Sequence, residues 1–535
     1  MRNAHTVADV RAAEQALMAN VPDGLLMQRA AAGLAAICGT LLDQVYGARV
    51  VVLAGSGDNG GDALFAGARL AGRGASVIAI AAGRRLHEAA TAELLARGGR
   101  VIAATGRSLD ASDSAPAESV GVPSRGSAGA GGAESAIAAQ AASAIAAADL
   151  VIDGLTGIGG HGGLREPAAS LAGLTERARR DGALVIAVDL PSGIDADPGE
   201  VHGAAIQADV TVTFGTLKPG LLIDPGAERA GPVELIDIGL GPYLPAPAVT
   251  SLQAADVAAT LPRPSAESDK YRRGVLGLVA GSEQYTGAAV LSTGGAIKGG
   301  AGMVRLVSAA PAVGVVRQHW PEAVLTTYDP DQPAQAIHDA GRVQAWAIGP
   351  GIGTGETALT LLATVLASDV PVLVDADGIT VLAAHRDLLS RQAPTLITPH
   401  AGELARLLNA DRADIEARRL HYARAAAAEL GITVLLKGST TVIAEPDAGR
   451  PVQVNSTGSN WLATAGSGDV LSGLAGSLLA QGLPPPIAAA AAAYLHGMAG
   501  RLAARDAPIG ASDLIGGIPA AIRAVTSGEP VDLRY

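Results

Sequence analysis

The stretch Ala463-Thr-Ala-Gly-Ser-Gly-Asp469 runs straight into an apolar helical pattern. Small residues there let backbone N–H groups turn toward a phosphate, and the positive end of the following helix stabilises its charge. Asp469 stands where a carboxylate takes the proton of a hydroxyl attacking that phosphate. Lys437-Gly-Ser-Thr-Thr441 follows a strand-like run and offers a nucleotide an ammonium, hydroxyls and backbone. The layout is that of phosphoryl chemistry on a small alcohol. A second glycine-rich segment, Gly55-Ser-Gly-Asp-Asn-Gly-Gly-Asp62, satisfies the dinucleotide pattern G-x-G-x-x-G. The acidic residue that such a site places on a ribose about 20 positions later is missing, and the next strand ends in Gly83-Arg-Arg85, suited to an adenosine 2′-phosphate. A pyrophosphate gains nothing from Asp58, Asn59 and Asp62; an oxygen-rich loop more naturally holds a cation or orients sugar hydroxyls. Asp153-Gly-Leu-Thr-Gly-Ile-Gly-Gly-His-Gly-Gly163 and Val188-Asp-Leu-Pro-Ser-Gly-Ile-Asp195 also follow strand-like runs, so all three segments are expected at one sheet edge. Two sites of different chemistry on one chain suggest two fused enzymes.

These residues need parallel strands to position them. Arg49–Ala54 reads as a strand, Ala63–Ala71 as a helix and Ala75–Ala81 as the next strand, which makes a βαβ unit. Apolar spacing predicts helices over Thr6–Leu17 and Leu25–Leu42 before it. Further strands are expected at Leu150–Ile152, Ala183–Val188, Val210–Phe214 and Val233–Ile236, and residues 109–134, rich in Ser, Gly, Ala and Pro, read as a flexible insertion. Gly241-Pro-Tyr-Leu-Pro-Ala-Pro-Ala248 has the proline spacing of a linker. The rhythm restarts with strands at Val275–Ala280, Val304–Val307, Ala345–Ile348, Val370–Val374, Thr395–Thr398 and Thr433–Leu436. The expectation is two α/β domains, residues 1–242 and 263–535, joined by 243–262.

Composition agrees. A chain of 535 residues with 49% hydrophobic and 17% charged residues can build more than one core, and 2 Phe and 3 Trp leave that core aliphatic. The net charge of −12 argues against nucleic acid as a partner. The N-terminus has no uninterrupted apolar stretch of the secretory kind, and the alanine-rich 487–504 stretch is interrupted by His496 and Arg501, so it reads as a buried helix rather than a membrane span. A soluble, cytoplasmic protein without a membrane partner is expected, as a homo-oligomer. The single cysteine, Cys38, excludes an internal disulfide and reads as core.

Asp58–Asp62, Asp153 with its glycine loop and Asp189-Leu-Pro-Ser192 resemble the NAD(P)H-hydrate epimerase domain, as do Glu14 and Met27-x-Arg29-Ala30-Ala31. The resemblance covers most of residues 1–242 and implies a Rossmann-like α/β/α sandwich. It implies a potassium ion on Asn59, Asp153 and Ser192. It also implies a hydrated dinucleotide (NADHX or NADPHX) on Asp58, Asn59, Gly60, Gly61 and Asp62, on Gly157, Ile158, Gly159, Gly160, His161, Gly162 and Gly163, and on Asp189, with Asp189 catalytic at the epimerising carbon. The chain departs at Asp58, where the family usually has Asn, and at Ala63, where it usually has Gly. Downstream, Gly281–Ala289, Gly349–Gly353, Asp375–Asp377, Thr398–Glu403, Asn455–Gly458 and Gly466–Asp469 occur in order and resemble the ADP/ATP-dependent NAD(P)H-hydrate dehydratase, a ribokinase-like α/β/α domain. That likeness places the substrate near Ala289, Gly353, His400 and Asp469. It places ADP or ATP, with Mg2+, on Lys437, Gly438, Ser439, Thr440, Thr441 and Gly468. Asp469 is then the catalytic base: it deprotonates the nicotinamide 6-hydroxyl, which is phosphorylated and eliminated. Gly378-Ile-Thr, Ser459-Asn-Trp-Leu462 and Ser467 depart from the family pattern, and Trp461 is bulky beside the phosphate loop.

Plainer readings stand beside these. Asp189 before Leu-Pro can cap a turn and Asp62 can be a helix N-cap. His161 can be a loop residue, His400 a satisfied turn residue and Lys437 a surface charge, and Asp375 and Asp377 can cap loops. The alternative function is a kinase of a small alcohol or vitamin fused to a non-catalytic nucleotide-binding module.

Overall fold

The structure is a computed structural model that describes residues 1–83, 85–105 and 137–528. The expected insertion at 109–134 and Arg84 lie outside the described residues. The chain forms two compact α/β units: His5–Leu221 with Pro225–Pro245, and the chain from Ala246 onward with Met1–Ala4 and Leu222–Asp224.

The first unit is built on seven parallel strands in the order Arg100–Ala103, Ser76–Ala81, Arg49–Ala54, Leu150–Gly154, Leu184–Val188, Val210–Phe214, Val233–Ile236. Alternate residues of Arg49–Ala54 feed opposite cores. Val50 and Val52 join Leu34, Leu64 and Leu94 on one face, while Val51 and Leu53 join Ile145 and Leu171 on the other. The helices Leu25–Leu41 and Asp58–Ala71 thus cover one face, and Ala139–Ala146 and Ala168–Arg180 the other. From Arg49–Ala54 the chain steps outward twice, then returns to the opposite side of the same strand at Leu150–Gly154. The strand order reverses there, and the crevice this opens at the carboxyl ends of the strands is where open α/β sheets bind ligands.

The second unit has eleven strands: Arg2–Ala4, Val249–Ser251, Val452–Asn455, Thr441–Ala444, Thr433–Leu436, Thr395–Ile397, Val372–Val374, Ala345–Ile348, Val275–Val279, Met303–Ser308, Val324–Thr327. The seven from Thr433–Leu436 onward are parallel. Here the order reverses between Val275–Val279 and Ala345–Ile348, so the loops after them, with the helix Ser467–Ala480, frame a second crevice.

Two expectations change. The glycine segment 58–62 is not a loop before a helix: the helix begins at Asp58, with Gly57 as its N-cap. The 243–262 stretch is more than a linker, because Val249–Ser251 is a fully enclosed strand between Arg2–Ala4 and Val452–Asn455, and Ala254–Thr260 is a helix. A three-residue strand is too short to show a period, whereas the prolines before it are conspicuous. The alanine-rich helix Pro485–Ala504 is buried, and among the described residues no helix is long and apolar enough to cross a membrane. Cys38 is fully buried, and burial pushes its thiol up to about 12.

Small residues let Ser467–Ala480 lie against Thr286–Lys298 with backbones almost touching. A Cβ on Gly473 would sit 1.9 Å from the Ser292 carbonyl oxygen, and one on Gly295 would sit 2.3 Å from that of Val470. Because Asp469 opens one of these helices, their spacing sets its position. Replacement Gly473→Ala should destabilise the second unit by roughly 1–3 kcal/mol through overpacking, read as a lower melting temperature of that unit.

Candidate functional site

In the first crevice Asp153 is fully buried at the end of its strand. Its carboxylate accepts from Ser192 N (2.8 Å), Ser192 Oγ (2.7 Å) and Leu155 N (3.3 Å). Burial raises it to about 6, against these hydrogen bonds. Ser192 Oγ in turn accepts from Thr156 N at 2.9 Å, and Asn59 Nδ2 donates to Thr156 O at 3.0 Å. Asn59, Asp153 and Ser192 therefore meet around one loop carbonyl. The donors are hard oxygens with a single full charge, and the Asn59 amide, turned with its nitrogen to Thr156, leaves its oxygen available. That set fits a monovalent cation.

Beside it stands a buried ion pair. Asp189, held at φ 66 on the turn after its strand, accepts through Oδ1 from Lys218 Nζ, from Thr213 Oγ1 at 3.0 Å and from Phe214 N at 3.3 Å. Lys218 is 1% exposed and also donates to the Phe214 carbonyl at 3.1 Å. Asp189 is thus no simple turn cap. Asp62 lies one turn into its helix, so it is not the N-cap either. Its Oδ1 is buried without a hydrogen-bond partner. Burial, then the charges of Asp189, Asp58 and Glu14, push the Asp62 carboxyl well above the usual range, with Lys218 opposing. Glu14 is raised by the same burial and neighbours. Four carboxyl groups share one ammonium.

Not every glycine faces a ligand. Gly60 is buried against the Gly55 carbonyl oxygen, which a Cβ there would approach to 2.3 Å, and Gly61 is buried against Met27 and His87. At Gly163, where φ is 85, a Cβ would come within 1.8 Å of the His202 carbonyl oxygen. Gly157 rides over the Asn59 side chain, and Gly160 N donates to the Gly157 carbonyl at 2.9 Å. Ile158 packs half-buried against the core. Asp58, Gly159, His161 and Gly162 are exposed, and His161 is a loop residue.

In the second crevice Asp469 lies in the first turn of Ser467–Ala480, whose N-cap Gly466 is at φ 87. Burial first, then Asp375, raise Asp469 to about 7; Lys437 opposes, while Asp377 and Glu403 add to the rise. Lys437 is no surface charge. Its Nζ donates to Asp375 Oδ1 at 2.6 Å and lies 3.8 Å from Glu403 Oε2. Burial lowers its pKa, but Asp375 and Glu403 outweigh burial and the net shift is upward. Asp375, 1% exposed, occupies a helix N-cap position but spends no side-chain bond on the cap; its second oxygen takes the Ser472 hydroxyl. Asp377 Oδ2 accepts from Gly353 N at 2.9 Å, tying that loop to the cluster. His400 is a cap: its Nδ1 accepts from Gly402 N and Glu403 N, and Glu403 returns a bond to His400 N. Its Nε2 faces Glu403 Oε1 at 3.5 Å. Gly353, His400 and Asp469 therefore share one network, whereas Ala289 is fully enclosed on its helix.

A cavity of about 540 Å³ opens beside this cluster, lined among others by His400, Lys437, Gly438, Ser439, Thr441 and Gly468. Thr440 is not among its lining; it is buried, with Oγ1 accepting from Asp224 N at 3.0 Å. Trp461 is 41% exposed and lies outside the lining, so it does not narrow the cavity. Also in the lining, His496 Nε2 donates to the Ser467 carbonyl, 2.9 Å away, and burial holds it down at about 4, hence neutral. Sequence patterns missed Lys218, Asp224, Arg419 and His496 as parts of these sites. Lys218 had a signal: it is the only charge between Asp209 and Asp224.

A family model described as YjeF-related protein N-terminus matches residues 24–220, and one described as NAD(P)H-hydrate dehydratase matches residues 276–518. A Mycobacterium leprae (strain TN) protein called bifunctional NAD(P)H-hydrate repair enzyme Nnr is 45% identical over 98% of this chain and 100% of its own length. The protein of the same name from Mycobacterium tuberculosis (strain ATCC 25618 / H37Rv) is 45% identical over 92% of each. A solved ADP/ATP-dependent NAD(P)H-hydrate dehydratase from Bacillus subtilis, co-crystallized with ATP/Mg2+, is 30% identical, covers 51% of this chain and 97% of its own, and superposes with a TM-score of 0.46. With that identity to full-length relatives, and with both halves matched by their own family models, the chain belongs to the bifunctional NAD(P)H-hydrate repair enzymes.

Proposed function

We propose that the first unit interconverts the R and S hydrates of NADH and NADPH, and that the second dehydrates the S form at the expense of ADP or ATP through a phosphorylated 6-hydroxyl. The observation that carries the second half is Asp469, a partly buried carboxyl near pKa 7 at a helix start, beside an anchored lysine and a cavity of nucleotide size. A base poised near neutrality matches its task. Asp469 takes the hydroxyl proton as oxygen bonds the terminal phosphorus and the nucleotide's bridging oxygen departs with its electrons. Phosphate then leaves carbon 6 and a ring proton is lost, restoring the reduced ring. Lys437 serves the developing phosphate charge, and the dipole of Ser467–Ala480 adds to it. ADP or ATP enters as its Mg2+ complex.

In the first unit, Asp189 is paired with Lys218, and Asp62, raised well above the usual carboxylate range by burial and neighbouring negative charge, is the group to act in its neutral form. The neutral carboxyl protonates the departing 6-hydroxyl, and the carboxylate takes a proton from the water that returns to the other face. Asn59, Asp153, Ser192 and the Thr156 carbonyl would hold a potassium ion, which supplies positive charge next to buried Asp153. The single buried thiol suits a reducing cytoplasm, where these cofactors are used. Joining the two activities is chemically sensible, since only one epimer is consumed.

With an R/S hydrate mixture, return of reduced-nicotinamide absorbance should require ADP or ATP; a stable phosphorylated alcohol instead would favour the small-molecule kinase. Asp469→Asn should lower that recovery by roughly 10²–10⁴-fold, and undiminished turnover would overturn the proposal. Dehydration should rise with pH through about 7 as Asp469 ionises, and Asp377→Asn, by removing a neighbouring negative charge, should move that limb to lower pH. In the epimerase, Lys218→Met should slow exchange of the two hydrates by roughly 10²-fold or more while leaving dehydration of pure S hydrate unchanged.

A further inference from the structure

The loop between Thr433–Leu436 and Thr441–Ala444 has little of its own to hold its shape, because Gly438 and Ser439 are exposed. Its support comes from two charged side chains. Arg419, 5% exposed, donates from Nη2 to the carbonyls of Lys437 (2.8 Å), Thr440 (3.1 Å) and Leu436 (3.4 Å). The loop passes so close that a Cβ on Gly438 would lie 2.1 Å from that nitrogen. Asp224 supports the other end. Its Oδ2 accepts from Thr440 N at 2.9 Å and from Ser439 Oγ, while its own N donates to Thr440 Oγ1 at 3.0 Å. It is also the foremost charge offsetting burial of Arg419. Yet in sequence Asp224 lies between Val210–Phe214 and Val233–Ile236, two strands of the first unit, while Leu222–Asp224 is part of the second unit.

We infer that Asp224 is a positioning residue for the dehydratase nucleotide, holding Ser439 and Thr440 in the shape that receives ADP or ATP, so that nucleotide affinity depends on a segment embedded in the epimerase half of the sequence. The inference rests on the nucleotide placement proposed above. Without the Asp224 carboxylate, the buried Thr440 N–H and the Ser439 hydroxyl lose their acceptor and the buried Arg419 guanidinium loses its foremost offsetting charge, and such groups are costly to leave unmatched. The loop then relaxes toward solvent, where Ser439 and Thr440 can find water. The same bonds orient the nucleotide. A Ser439 hydroxyl that donates to a carboxylate can only accept from a ligand, and the Asp224 charge beside it repels phosphate. The Ser439 end of the loop therefore suits the donor groups of a sugar or base, and the Lys437 end suits the phosphates.

The test is calorimetric titration of ADP into the full chain. The wild type should bind, and Asp224→Ala should raise the dissociation constant tenfold or more. In turnover its KM for ADP should rise while kcat at saturating ADP stays within about threefold, and hydrate epimerisation should continue at the wild-type rate. Thr440→Val, which removes only the hydroxyl under Asp224 N, should shift ADP affinity in the same direction by a smaller factor, and it keeps the question answerable if Asp224→Ala does not fold. Asp224→Asn, which retains one acceptor for Thr440 N, should recover part of the loss. Wild-type ADP affinity in both Asp224→Ala and Thr440→Val, or a loss of kcat with KM unmoved, would overturn the inference. If the wild type itself binds neither ADP nor ATP, the nucleotide placement fails first and takes this inference with it.

Discussion

Each crevice is organised around one enclosed ammonium outnumbered by carboxyl groups. Lys218 faces Asp189 with Asp62, Asp58 and Glu14 in range, and Lys437 faces Asp375 with Glu403, Asp469 and Asp377 in range. Taking a charge out of water costs several kcal/mol, and a single cation stabilises most the carboxylate it touches. Its direct partner is Asp189 in one crevice and Asp375 in the other. Among the carboxyls left over, burial and neighbouring negative charge raise Asp62, Glu14 and Asp469 above the usual carboxylate range. A carboxyl near pKa 7 and one raised well above the usual range are therefore consequences of charge counting in a dry crevice. Removing either lysine would leave a buried anion unpaired, which ties the stability of each site to its chemistry.

The sheets decide where that counting occurs. In both units the strand order reverses between two interior strands, and the chain leaves the carboxyl ends of those neighbouring strands in opposite directions. The gap can be filled only by loop backbone and a helix start. Glycine recurs there for two separate reasons. At Gly466 the backbone needs positive φ to start the helix that carries Asp469. At Gly55, Gly60 and Gly163 it needs room beside a carbonyl that any Cβ would strike. A glycine-rich motif is thus as much a packing device as a ligand cradle, which is why Asp58–Asp62 could read as a loop in sequence and yet fold as the first turns of a helix.

That distinction marks how much the sequence disclosed. Central strands such as Arg49–Ala54, apolar from Val50 onward, and Ala345–Ile348 are buried on both faces, and an apolar run of that kind is visible without coordinates. Edge strands such as Arg100–Ala103 and Val324–Thr327 are short and partly exposed, so their pattern is no stronger than that of a loop. Site carboxylates were legible where a turn motif carried them, as with Asp153, Asp189 and Asp469. Their partners were not. Lys218 and Arg419 act through pairing across the fold, and no local spacing connects Lys218 to Asp189, 29 residues away, or Asp224 to Thr440, 216 residues away. His400 keeps both readings, since its Nδ1 caps a helix while the residue lines the cavity.

The composition of the second unit bears on what the fusion is. Its sheet takes Arg2–Ala4 as an outer strand and Val249–Ser251 next to it, and its loop support takes Leu222–Asp224. A cut at residue 262 would therefore remove two strands and a buried carboxylate from the dehydratase, exposing the edge of Val452–Asn455 and freeing the guanidinium of Arg419. Exposed strand edges pair with other chains, and a buried cation without its anion is strongly destabilising. The chain is better understood as one polypeptide whose first half also completes the second. Separate assignment of the two activities then belongs to point variants in the full-length protein, where each crevice can be altered while every strand keeps its neighbour.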